Sequence, residues 1–170
     1  GIIRGTDGEV TGTTGDMKVQ NIATGVTRTV VTNVAAPNGP LVMLNPAFTA
    51  DGKKILFTAG NAGTNYKVYL VSSQAGTALA TATALKAAEN YNLRYATLSP
   101  DSDGATTGLL AYTRDTGPTT STHELWVYNF ATKKSTLLVQ AETGRQLKHP
   151  VFLSDNDTIA YVGVKSGIQN

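Results

Sequence analysis

Two histidines, two close aspartates and a scatter of cations are the residues of this sequence whose types suit chemistry. His123 and His149 are far apart and lack the helical or hairpin spacing of metal ligands, so each is expected to be an ordinary residue at a strand end. Asp101-Ser102-Asp103-Gly104 opens like a calcium loop, in which alternating side-chain oxygens converge on a hard cation. Ala105, Thr106 and Thr107 follow, and no Glu falls at the closing position. Asp101 and Asp103 are thus the single calcium candidate, and an enlarged polar turn is the expectation. No Gly-x-Ser-x-Gly elbow is present. Cysteine is absent, which removes disulfides, thiolate nucleophiles and Cys-based metal sites together. Gly5-Thr6-Asp7-Gly8 and Gly12-Thr13-Thr14-Gly15 are glycine-rich, but no Gly-Lys-Ser/Thr follows them, so they read as connections rather than phosphate cradles. No catalytic residue and no cofactor is expected.

The elements that would position such residues are strands in a repeat. Residues 46–58 read as a short strand, an Asp51-Gly52 turn and a second strand ending in an aromatic. The same order returns at 95–101 with 108–113, and again at 149–155 with 158–162, a period of roughly fifty residues. Between these hairpins lie further alternating strands, at 66–71 and 124–132, with an earlier copy at 16–25. That earlier copy shares its Asn-apolar-Ala-Thr ending, Asn21 to Thr24, with Asn129 to Thr132. Each unit therefore holds four strands, as a propeller blade does, since a blade buries its faces only against its neighbours.

Residues 46–58, 98–112 and 150–161 resemble the repeat of TolB-like β-propellers, whose core is an aromatic, Ser-Pro-Asp-Gly, basic residues and an Ile-Ala-Phe-like strand. The resemblance covers most of residues 16–165. Thr49-Ala50 stands for Ser-Pro in the first copy, 102–107 is inserted in the second, and Asn156-Asp157 stands for Asp-Gly in the third. All these changes keep turn-forming residues. The resemblance implies an all-β protein of four-stranded antiparallel blades. About three blades are present, at 1–44 (incomplete), 45–93, 94–147 and 148–170 (incomplete). The chain is expected to begin near a second blade strand at Ile2-Ile3-Arg4 and to end in a loop at 166–170. That makes a partial ring, either a fragment or one closed by self-association. The segment 77–89, rich in Ala and Thr, is assigned to an outer strand despite its helical propensity. Phe48, Phe57, Tyr69, Tyr112, Trp126, Phe152 and Tyr161 recur at matching positions, the pattern of packing between blades.

The repeat also groups the cations. Leu93-Arg94-Tyr95, Leu147-Lys148-His149 and, as third member, Leu44-Asn45-Pro46 sit where the chain enters each innermost strand, around one mouth of a propeller channel. Arg94 and Lys148, joined by His149, Arg114, His123 and Arg145, predict a basic funnel for an anionic ligand or an acidic peptide end. The formal net charge of +2 is spread rather than clustered, and Lys53-Lys54 and Lys133-Lys134 fall in turns, so a nucleic-acid partner is not expected. No apolar run approaches the roughly 20 residues of a membrane helix, so no membrane insertion is expected. The first eight residues lack the order of a signal peptide. The resemblance implies a non-catalytic module that binds protein or peptide partners in the bacterial periplasm or outside the cell. The alternative it leaves open is an accessory propeller that gates substrate for a prolyl oligopeptidase-type peptidase or a carbohydrate-active enzyme.

Overall fold

Alternating apolar and β-branched residues build strands here from end to end, with Gly and Asp at the turns. The computed structural model describes residues 2–4, 10–13, 15–32, 42–61, 64–74, 76–79, 82, 84–85, 91–115 and 123–165. The chain is all-β: no helix of α type occurs among the described residues.

Four strands form the most regular sheet: β10 (Asn92–Leu98), β11 (Leu109–Asp115), β12 (His123–Asn129) and β13 (Lys134–Gln140), antiparallel and in that order. The preceding unit repeats it with β5 (Val42–Phe48), β6 (Lys54–Asn61), β7 (Thr64–Ser72) and the short β9 (Ala84–Leu85). A third copy supplies, among the described residues, β14 (Arg145–Phe152) and β15 (Ile159–Lys165). These sheets begin slightly before 45, 94 and 148. Each inner strand is longer than the repeat motif suggests, because it continues on the N-terminal side of a bulge. The first strand β10 lies against both β5 and β14, and it also packs on β6 and β7. Successive sheets therefore stack face to face with their first strands adjacent, the blade arrangement of a propeller. The described strands close no ring.

Equivalent residues follow from the registers Leu44↔Thr58, Arg94↔Thr113 and Lys148↔Val162. Phe57 and Tyr112 are then counterparts, and both are fully buried. Phe57 stacks on Tyr69 with ring centroids 5.4 Å apart. Tyr112 joins Leu56, Val68, Leu93, Leu98 and Leu110 in the core between the second and third blades. Each such side chain contributes about 1.5–3 kcal/mol by leaving water. Two of the recurring aromatics depart from the core expectation. Tyr161 is 43% exposed, as no third strand pairs with β15 among the described residues, and Phe48 is 53% exposed although its counterparts Leu98 and Phe152 are buried.

The first unit differs from the expected second-to-fourth strand order in one sheet. β1 (Ile2–Arg4) and β2 (Val10–Thr13) join the sheet of β5 through Thr13↔Met43. β3 (Met17–Gln20) and β4 (Thr27–Thr32) form a separate hairpin. Gly12 and Gly15 weaken a continuous strand at that point, since glycine brings no side chain to pack. The segment expected as one outer strand is two. β8 (Thr77–Ala78) runs parallel to β4, pairing Val31 with Thr77, and only then does β9 pair with β7. Leu79 explains the detour: it is buried with Val30 and Val31 in the core between the first two units. The glycine-rich 5–8, most of the connections 61–63 and 115–118, the end of the Ala-rich segment and residues 166–170 lie outside the described residues.

Candidate functional site

Each innermost strand breaks its ladder at the same place. Register shifts fall between Leu44 and Ala47, Arg94 and Thr97, and Lys148 and Val151. Within each bulge one non-glycine residue takes the left-handed conformation: Asn45 at φ 51°, Tyr95 at φ 46° and His149 at φ 49°. That conformation costs a residue with a Cβ roughly 1–2 kcal/mol, and Asn bears it better than Tyr or His. Pro46 and Pro150, which have no N–H to donate, follow two of these residues where the ladder is already interrupted. The bulges re-aim the side chains, and the rings of Tyr95 and His149 come within 4.5 Å across the blade boundary. Asn45 and His149 are exposed. The registers also correct one assignment. The counterpart of Leu93-Arg94-Tyr95 is Met43-Leu44-Asn45, not Leu44-Asn45-Pro46, because the bulge aligns Asn45 with Tyr95 and His149. The second unit thus carries Leu44 where the two after it carry Arg94 and Lys148.

The predicted cations are brought to one end of the third blade, but not as an open funnel. Arg94 Nε lies 3.6 Å from Asp115 Oδ2, and its guanidinium sits 4.6 Å from the Tyr66 ring centroid. His123 Nδ1 is 2.9 Å from Asp115 Oδ1, and both side chains are more than nine-tenths buried. Arg114 meets Glu124 Oε2 through Nε at 2.8 Å and Nη2 at 2.7 Å, and Trp126 Nε1 donates to the same oxygen at 2.8 Å. The Arg114 guanidinium is held between the rings of Tyr91 and Trp126, 4.2 and 4.3 Å from their centroids. Arg145 pairs with Glu142 at 3.1 Å near the surface. Lys148 is half-buried on β14 beside His149. The two arginines and two carboxylates of the third blade therefore cancel in charge.

Asp115, Glu124, Tyr66, Tyr91 and Asn92 are the residues that sequence reasoning missed. The register of β11 on β12 sets Asp115 opposite His123 and Arg114 opposite Glu124. Opposite charges placed directly across two strands are a readable signal once the hairpin is paired. Asn92 Oδ1 accepts a bond from the Tyr66 backbone N–H at 3.0 Å, tying the start of β10 to β7 of the preceding blade. In this half-buried setting charge pairs are stronger than on an open surface.

The calcium candidate closes on itself. The Asp103 carboxylate accepts from the backbone N–H groups of Ala105, Thr106 and Thr107 at 2.7–2.9 Å and from the Thr106 hydroxyl. These bonds, the Thr106 hydroxyl foremost, hold its pKa well below the usual carboxylate range. Asp101 Oδ1 accepts from Ser99 Oγ at 2.6 Å. Among the described residues no three acidic or imidazole side chains converge as a metal site. The inserted loop instead grips the preceding blade: Ala50 N–H donates to the Ser102 carbonyl at 3.2 Å and Lys54 Nζ to the Asp103 carbonyl at 3.3 Å.

The third turn corrects another alignment. The bond from Leu153 N–H to the Thr158 carbonyl matches those from Thr49 to Lys54 and from Ser99 to Leu109. Asp155-Asn156 therefore replaces Asp51-Gly52, and Asn156 takes φ 63° where Gly52 has 67°. Fold and site together define the class: an all-β protein of propeller-like blades, with a bulged inner row and a polar clamp at one blade end. No protein-family model matches the sequence, and no curated protein does. No helix among the described residues is long and apolar enough to cross a membrane.

Proposed function

We propose that this protein is a non-catalytic binding and scaffolding module, a TolB-like propeller that holds a protein or peptide partner in the bacterial cell envelope. The observation that carries the reading is the row Asn45, Tyr95 and His149. Three consecutive inner strands place a strained, polar or aromatic residue at one register position. Strain repeated at equivalent places, where a glycine would relieve it, marks positions kept for their side chains. In a propeller the inner strands face the central channel, so the row offers amide, phenol and imidazole groups, with Lys148 beside them, to an extended segment of a partner rich in hydrogen-bond acceptors.

The reading is supported further by the way His123 and Asp115 are used. An Asp–His pair at 2.9 Å is a general-base arrangement when a nucleophile and substrate can reach it, but His123 is 5% exposed and serves an inter-strand clamp. A photo-crosslinking amino acid at position 95, and separately at the exposed Leu138 of the outer strand, tests the proposal in envelope extract. The expected result is one partner captured from position 95 and not from 138, with capture lost in Lys148→Ala/His149→Ala. Equal capture from both positions, or capture untouched by the double substitution, overturns it.

A further inference from the structure

We propose that the cleft between the β3–β4 hairpin and the second blade is a binding site for a small amphiphilic carboxylate, an acid carrying an aryl or aliphatic tail. The cleft measures about 470 Å³, within the size range of small-molecule sites. It lies away from the inner row, so it stands apart from the partner surface proposed above.

Comparison of two blade junctions shows why this one is open. Matching the Asn21 and Asn129 turns makes Val19 the counterpart of Val127, and strand register makes Val127 the counterpart of Leu70. At the junction of the second and third blades Leu70 is covered by the inserted loop. A Cβ built on Gly104 would lie 2.9 Å from Leu70 Cδ2, so the loop backbone is already in tight contact there. Leu98 beside it is 8% exposed. The turn at Thr49–Lys54 has no such insertion. At the first junction Val19 therefore lines a cleft, and Phe48, the counterpart of Leu98, is 53% exposed within it, with Val26 64% exposed on the other wall. The cleft is the unfilled version of a contact that the next blade completes with its own backbone.

The chemistry of the occupant follows from the lining. Phe48, Val19 and Val26 offer an aromatic floor and aliphatic walls. Among the described residues Arg28 is the charged lining residue, and no carboxylate shares the lining with it. Its Nη1 donates to the Gln74 carbonyl at 3.1 Å and to Gln74 Oε1 at 3.0 Å, which fixes the guanidinium plane. Nε and Nη2 carry no bond to other described residues, so a prepositioned fork remains for an incoming carboxylate. Ser73 does not compete for that anion, since its hydroxyl donates to the Gly52 carbonyl at 2.7 Å.

The test is an NMR titration of the full 170-residue chain, following the methyl groups of Val19 and Val26 and the Phe48 ring. The probes are 4-phenylbutyrate and its uncharged analogue 4-phenylbutan-1-ol. The acid is expected to shift these signals saturably and to bind about tenfold more tightly than the alcohol, the value of one charge-assisted hydrogen bond. Arg28→Gln should bring the acid down to the level of the alcohol, and Phe48→Ala should abolish both. If Phe48→Ala fails to fold, Phe48→Leu serves, with weakening of both probes expected. Unshifted Leu110 and Leu125 methyls report an intact core. Absence of a saturable shift with wild type, equal affinity for acid and alcohol, or an Arg28→Gln variant that binds the acid like wild type overturns the assignment.

Discussion

Replacing Asp115 with Ala removes a carboxylate that lies against both Arg94 and His123. The side chains of Asp115 and His123 are 9% and 7% exposed, so the imidazole loses a close partner where water cannot replace it. Arg94, at 24% exposure and 3.6 Å, retains part of its hydration and its place over the Tyr66 ring. Breaking a buried ion pair from one side costs about 3–5 kcal/mol. The partial exposure of Arg94 and the length of its contact put Asp115→Ala at the lower end, about 3 kcal/mol. For a chain of this length each kcal/mol lowers Tm by about 2–4 °C, so a fall of about 6–12 °C is expected. Glu142→Ala, which breaks the pair between Arg145 and an 82% exposed Glu142, should cost no more than about 1 kcal/mol. Urea unfolding of Asp115→Ala, His123→Ala and the double variant measures the coupling directly. A loss below 1 kcal/mol for Asp115→Ala, or a cycle in which the two single losses simply add, would refute the clamp.

Three further outcomes follow from backbone and carboxylate geometry. Gly108→Ala should destabilise by at least about 2 kcal/mol in urea unfolding, because Gly108 has φ 77° and a Cβ there would lie 2.6 Å from Ser102 Cα. Asn156→Gly should be neutral or slightly stabilising, whereas Asn156→Val should cost about 1–2 kcal/mol, since φ is 63° at that turn position. Asp51, Asp103 and Asp155 are all held below their ordinary pKa, by the Lys53 N–H, by the Thr106 hydroxyl and by the Thr158 hydroxyl respectively. A depressed folded-state pKa adds stability that is present above the unfolded value of 3.8 and is lost as pH falls through the folded value. Thermal unfolding should therefore be flat in these groups near neutrality and fall below about pH 4, and Asp103→Asn should flatten that acid limb; an unchanged limb counts against the turn assignment.

Strand content, turn positions and the blade repeat were legible because they are local. Thr49-Ala50-Asp51-Gly52 and Ser99-Pro100-Asp101 announce the same turn chemistry, and the strands either side alternate visibly. The bulges were not legible. A one-residue slip in the inner strand moves a side chain to the other face, and nothing in Leu44-Asn45-Pro46 says which residue will carry the positive φ. The cations were found, but the electrostatic reading built on them missed their partners. Arg94 is matched by Asp115 from the next strand, and Arg114 by Glu124 from the one after, so the answer depended on cross-strand register. The detour of 77–79 to β4 was hidden for a related reason: the deciding contact is Leu79 against Val30 and Val31, far away in sequence.

The two corrections to the site bear on each other. With Arg94 and Arg114 neutralised, net positive charge is a poor explanation for the partner recognition proposed at the inner row, and under that proposal specificity has to come from directed hydrogen bonds and ring contacts. Asn45, Tyr95 and His149 supply those, each aimed by a backbone conformation that a glycine would adopt without strain. The clamp then acquires a role in the same surface. Asn92 and Arg94 belong to β10, immediately before Tyr95, and both are tied to the preceding blade through Tyr66. Loosening the clamp should therefore move Tyr95 relative to Asn45 on the neighbouring inner strand. A substitution of Asp115 that lowers stability should also lower affinity for the partner proposed for the inner row, although Asp115 itself lies outside that row. Unaltered affinity in a folded Asp115→Ala variant would separate the clamp from the row and confine it to holding blades together.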